Sequence, residues 1–80
     1  MKTRTVYVLH CNDHTYYTGC TKHFEDRFIR HQKGLIHYTK SRLPVKLVTK
    51  VVLIDKYKAY DFERYLKTGS GIAFRNKRLI

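Results

Sequence analysis

The spacing of hydrophobic and polar positions changes period along the chain, and each change marks an element. Thr5-Val-Tyr-Val-Leu-His10 is a β-branched and aromatic run and predicts a strand. Asn12-Asp13 is turn chemistry, and Thr15-Tyr-Tyr-Thr18 reads as the returning strand of a hairpin. Side chains alternate across a strand. A three-residue turn, for which paired residue numbers sum to an even value, therefore puts Tyr7, Leu9, Tyr17 and Gly19 on one face. An odd sum would separate the two tyrosines.

From Phe24 the period becomes helical. Phe24, Phe28 and Ile29 form an apolar stripe, Glu25 and Asp26 suit the first turn, and Gly34 is placed to end the helix. Arg27 and His31, four residues apart, share another side. A basic loop, GLIHYTKSRLP from Gly34 to Pro44, leads into VKLVTKVVLI, the most β-prone stretch and the expected central or longest strand, Val45 to Ile54. A second helix is expected from Lys56 to Thr68 with Ala59, Phe62, Tyr65 and Leu66 as its buried stripe. Gly69 would end it, and Ser70 would cap a short third helix running to Arg78. The order β-β-α-β-α-α describes an α+β fold with a small, three-stranded, mostly antiparallel sheet flanked by helices. Residues 1–80 are expected to form a single domain, since a chain of this size has room for no second core.

Charge narrows the function. Seventeen Lys and Arg against six Asp and Glu give a net charge of +11, spread along the chain and not held in a tail. Such a balance favours a polyanionic partner, because each neutralised phosphate releases counterions. No segment nears the roughly 20 apolar residues of a membrane span, and the first apolar run, Val6 to Leu9, is too short for a signal peptide. Two cysteines do not make a disulfide framework, so a cytoplasmic location without membrane attachment is expected.

Those cysteines stand in Cys11-x-x-His14 and Cys20-x-x-His23 pairs, which raises zinc. The five residues between the pairs are the second strand, and an extended strand would hold His14 and Cys20 roughly 20 Å apart. No structural zinc is expected.

Val6-Tyr7-Val8 followed by Tyr17-Thr18-Gly19 resembles the paired motifs of the GIY-YIG nuclease superfamily. The ordered set Tyr7, Tyr17, Gly19, Arg27, His31 and Glu63, each on the expected kind of element, makes the resemblance specific, and it extends over essentially the whole chain. It is strongest toward small stand-alone members, which carry stretches similar to HYTKSRLPVKLV and KTGSGIAFRNKRL; no appended DNA-targeting domain is expected. The resemblance implies a metal-dependent DNA endonuclease, nicking or structure-selective and related to repair. Tyr7 would be the general base, with Tyr17 orienting phosphate or water and Arg27 stabilising the transition-state phosphate. His31 would assist, and Glu63 would hold one Mg²⁺ or Mn²⁺. Asn76 is the candidate for an asparagine that often completes such sites.

The residue types suit this chemistry. Phosphodiester hydrolysis needs an activated water and cations where negative charge develops, and hard divalent ions prefer carboxylate oxygen. A phenol has a pKa near 10, so Tyr7 would need Arg27, His31, Lys22 or the metal to lower it. Each residue also has an ordinary reading. Glu63 would pair with Lys67 one turn on, and both tyrosines would be core aromatics. Gly19, Lys22, Lys40 and Arg42 are candidate nucleic-acid contacts, and Lys33, His37 and Tyr38 add charge and an aromatic ring to the same loop. No base-reading motif is visible, so contacts to DNA, structured or single-stranded, would be sequence-nonspecific. A non-catalytic nucleic-acid-binding module of the same fold is the alternative. A protein partner or homodimer stays open.

Overall fold

The computed structural model describes residues 3–80. The elements are β1 (Arg4–His10), β2 (Tyr16–Thr21), α1 (Phe24–Gln32), β3 (Lys46–Leu53), α2 (Lys56–Tyr65) and α3 (Gly69–Arg78). All strand pairs are antiparallel, in the spatial order β2-β1-β3. The fold is thus the α+β arrangement expected, β-β-α-β-α-α.

The hairpin turn fixes everything that follows. Cys11 N–H donates to Thr15 C=O across the loop Asn12–Asp13–His14, and His14 takes φ of 69°. This three-residue loop sets Tyr7 opposite Gly19 and Leu9 opposite Tyr17, the even-sum register.

β3 is the longest strand but lies at an edge, and β1 is central. Burial explains the difference. Thr5 to Leu9 of β1 are buried without interruption, which requires cover on both faces, whereas β3 is half-exposed along its length. One extra residue, Val48, is accommodated in β3 where its pairing with β1 shifts register between Val8 and Leu9.

Two hydrophobic layers result, one on each side of the sheet. Tyr7, Leu9, Cys11, Phe24 and Val45 form the layer beneath α1, joined by Tyr17, Phe28 and Leu43. Val6, Ala59 and Leu66 form the layer beneath α2, joined by Cys20, Leu53, Phe62 and Leu79. Within α1 the buried side departs from the expected stripe. Ile29 is 47% exposed and His31 is fully buried, because His31 finds hydrogen-bond partners inside. Gly34, at φ of 74°, stands just beyond this helix as expected.

α2 is capped by Asp55, whose carboxylate accepts from the Tyr57 and Lys58 amides, and ends earlier than the sequence suggests. Thr68, not Ser70, caps α3 by accepting from Gly71 N–H. Tyr65 is not part of the buried stripe; it lies 41% exposed against Phe74 of α3. The C-terminus is tied back to the sheet by a hydrogen bond from the Thr49 hydroxyl to Leu79 C=O.

Candidate nuclease site

Tyr7 and Gly19 face each other across β1 and β2, and the Tyr7 ring lies across the glycine. A Cβ on Gly19 would stand 2.5 Å from both Cζ and Oη of Tyr7. The missing side chain is what lets the phenol pass over β2, so its hydroxyl is carried toward the free edge of that strand. Gly19 was expected among nucleic-acid contacts. It is buried, and its function in the fold is to make room for Tyr7.

At that edge Tyr7 meets residues from α1 and the following loop. Its hydroxyl is 2.9 Å from His31 Nε2, and His31 Nδ1 is 2.7 Å from Thr39 Oγ1. All three are closed off, with Tyr7 1% exposed and His31 and Thr39 not exposed at all. The Tyr17 ring lies 6.2 Å from Tyr7 and 5.1 Å from His31, and Phe24 packs edge-on against Tyr7 at 5.5 Å.

Burial holds the His31 pKa down to about 4, and the neighbouring Arg27 guanidinium lowers it further in the same direction. The imidazole is therefore neutral at physiological pH and carries one N–H. With the proton on Nδ1, His31 donates to Thr39 Oγ1 and its Nε2 accepts from the Tyr7 hydroxyl.

Tyr7 itself departs from the expectation of a lowered pKa. Burial raises it, Tyr17 and the Glu63 carboxylate raise it further, and Arg27 pulls it down by less. A neutral His31 cannot help, and Lys22 is not among the charges acting on the phenol. Tyr7 is thus a protonated phenol held against a neutral acceptor.

Glu63 reaches this place from the opposite side of the sheet. It lies half-buried on α2, which packs under the second hydrophobic layer, yet it acts on both Tyr7 and Cys20. Its Oε2 is 3.1 Å from Lys67 Nζ, so the ordinary helical pairing is realised. Among the described residues no three His, Cys, Asp or Glu side chains cluster closely enough to hold a metal ion. A divalent ion here would rest on one carboxylate, with waters and substrate phosphate completing its shell, a donor set that suits Mg²⁺.

The remaining candidates are more scattered. Arg27 is half-buried beside Thr21, His23 and Arg30, close enough to act on Tyr7 and His31. Lys22 lies apart, lining a shallow depression with Phe24, Glu25 and Lys50. Lys40 is exposed. Arg42 is engaged within the fold: Nε donates to Asp13 at 2.8 Å, Nη1 donates to Tyr38 C=O at 2.8 Å, and the guanidinium sits 4.2 Å from the centre of the Tyr38 ring. Asn76 is exposed and accepts from the Arg75 guanidinium.

The Cys-x-x-His pairs are taken apart by the sheet. Cys11 belongs to the α1 layer and Cys20 to the α2 layer, while His14 stands in the hairpin turn and His23 at the N-cap of α1. Burial pushes both thiols above their ordinary pKa, which disfavours the thiolates zinc would need.

Thr39 was not foreseen as a site residue. It sits in an irregular loop eight positions beyond His31, where no periodicity reports orientation. No helix among the described residues is long and apolar enough to cross a membrane.

Comparison with known proteins agrees with this fold. The GIY-YIG catalytic domain matches residues 4–76. A UPF0213 protein of Lactococcus lactis subsp. cremoris is 43% identical over 68 residues, covering 84% of this chain and 69% of that protein. A UPF0213 protein of Staphylococcus saprophyticus is 38% identical over 80 residues, covering 99% of this chain and 93% of that protein. The solution NMR structure of a UPF0213 protein from Bacillus halodurans has a TM-score of 0.62 at 27% identity, covering 96% of this chain and 86% of the other. Since the match runs from β1 into α3 and takes in Tyr7, Tyr17, Arg27, His31 and Glu63, the chain belongs to the GIY-YIG catalytic domain family, a nuclease family whose substrate is nucleic acid.

Proposed function

We propose that the protein is a metal-dependent DNA endonuclease that nicks one strand per encounter, acting on DNA structure and not on sequence, as repair-related cleavage requires. The observation that carries this reading is the buried chain Tyr7–His31–Thr39 at the β2 edge, with Arg27 and Glu63 close enough to act on Tyr7. A phenol with a raised pKa cannot wait as phenolate, so it serves as base only by passing its own proton on. His31 Nε2, 2.9 Å away, accepts that proton in the tautomer whose Nδ1–H donates to Thr39 Oγ1. Because Tyr7 is 1% exposed, the attacking water reaches Oη only when the β2 edge opens locally on substrate binding; its proton then moves to Tyr7 Oη while the Tyr7 proton moves to His31. Arg27 carries a permanent charge for the oxygens on which negative charge builds. Glu63 would hold the divalent ion, Mg²⁺ or Mn²⁺, which when bound supplies Lewis-acid stabilisation of the phosphate and leaving oxygen.

The test is nicking of supercoiled plasmid in Mg²⁺ or Mn²⁺ by the wild type and by Tyr7→Phe, Arg27→Ala and Glu63→Gln. Each variant should lose at least about 100-fold in rate. Undiminished nicking by Glu63→Gln would remove the metal ligand from the proposal, and undiminished nicking by Tyr7→Phe would remove the base.

One observation favours a second reading, a nucleic-acid-binding module without turnover. The Lys67 ammonium occupies one oxygen of the only carboxylate proposed to take the metal. Salt-sensitive DNA binding with no cleavage in any divalent metal would select it.

A further inference from the structure

A cleft of about 330 Å³ opens on the same β2 edge, between that strand, the Tyr38 loop and the start of α3. Its volume is in the range of small-ligand pockets. The apolar lining includes Tyr17, Tyr38, Leu66 and Ile72, and the cationic lining is Lys67 and Arg75. The Tyr17 and Tyr38 rings are 5.2 Å apart and inclined by 38°. Tyr38 is pinned where it stands, because Arg42 stacks on its ring, donates from Nε to the Asp13 carboxylate at 2.8 Å and donates from Nη1 to the Tyr38 carbonyl. Arg75 is likewise steered, bonded to Asn76 Oδ1 and lying 4.9 Å from the centre of the Tyr16 ring.

Two features identify what would enter. Aromatic and aliphatic walls with cations beside them match a flat π-faced group attached to a phosphate chain. The cleft also shares Tyr17 with the Tyr7–His31 cluster, and Lys67 with Glu63, so its occupant would be next to the hydrolysed phosphate. We propose that this cleft receives one unpaired DNA base adjacent to the phosphate being cut, which makes single strands, flaps and gapped junctions the preferred substrates. A base inside a duplex is stacked on both faces and paired at its edge, so entry requires unstacking that an unpaired nucleotide does not need.

The proposal rests on the nuclease reading of the neighbouring site, and the experiment separates the two. Binding of a 5′-flap DNA, a single strand and a blunt duplex of equal length is measured by anisotropy, with 2-aminopurine at the junction reporting stacking. Cleavage of flap and duplex in Mn²⁺ is followed in parallel. The wild type should favour flap and single strand over duplex by about tenfold and quench 2-aminopurine. Tyr38→Ala should cost about tenfold or more on unpaired DNA, while Tyr38→Phe keeps the stack and retains wild-type binding. Ile72→Ser provides a second lesion in the cleft should Tyr38→Ala fail to fold. Equal affinity for flap and duplex, or equal loss on both in Tyr38→Ala and Ile72→Ser, overturns the base pocket whatever the cleavage result. Preference for unpaired DNA lost in Tyr38→Ala, with no cleavage in any metal, upholds the pocket and sinks the nuclease reading.

Discussion

Thr39→Val replaces a hydroxyl by a methyl of the same shape, and its cost can be worked from the chain it interrupts. In the native protein His31 is fully buried and both ring nitrogens are bonded, Nε2 to Tyr7 and Nδ1 to Thr39. Among the described residues no buried side-chain nitrogen or oxygen lacks a partner. The variant leaves Nδ1 buried with nothing to bond, a penalty of about 1–3 kcal/mol. In a domain this small each kcal/mol moves Tm by about 4–8 °C, so a central cost of about 2 kcal/mol lowers Tm by about 8–16 °C. Thermal unfolding followed by circular dichroism at neutral pH measures it. The decisive arm is the same substitution in a His31→Leu background. With the imidazole gone the hydroxyl has no buried nitrogen to satisfy, and the cost should shrink below about 0.5 kcal/mol. Equal costs in the two backgrounds would refute the reasoning, since the Thr39 contribution would then owe nothing to His31.

Other outcomes follow from the same geometry. Because His31 titrates at about 4 when folded and at 6.5 when unfolded, the unfolded chain binds the extra proton between those values. Stability should therefore fall as pH drops through that window, by up to about 3 kcal/mol, and His31→Leu should flatten urea-melt midpoints across it. Gly19→Ala forces a Cβ to 2.5 Å from the Tyr7 ring and should cost about 1–3 kcal/mol in urea unfolding and displace Tyr7 from His31. Gly69→Ala, where a Cβ meets nothing within 4 Å, should be nearly neutral, and similar costs at both positions would contradict the close approach. Asp55→Ala removes the acceptor for two amides of α2 and should lower Tm by about 4–8 °C in thermal unfolding followed by circular dichroism.

How far the chain could be read without coordinates depended on whether a position carried a period. The hairpin register was legible because Asn12-Asp13 limits the turn and the strand alternation then assigns Tyr7 and Tyr17 to one face. The edge position of β3 was not, since a valine-rich run looks the same whether one face is covered or two. Helix α1 was legible in extent but not in its buried side, because a histidine reads as polar until its partners are known. Thr39 lay in a loop, and Tyr38 was read as one aromatic among surface charges and not as the wall of a cleft. The Tyr7 pKa reversed direction for a related reason: counting nearby cations from sequence omits burial, and here burial is the larger effect.

The separation of Glu63 from His31 by the sheet has a consequence for how the molecule loses competence. His31 is held by the packing of α1, and Glu63 by the packing of α2, with only the three strands between the two. Partial opening that frees the α2–α3 half would strip away the carboxylate while the phenol, imidazole and threonine remain assembled. On the role proposed for Glu63, such opening would stop cleavage before the spectroscopic melt, and a nucleic acid bound across both halves at the strand edge would oppose it.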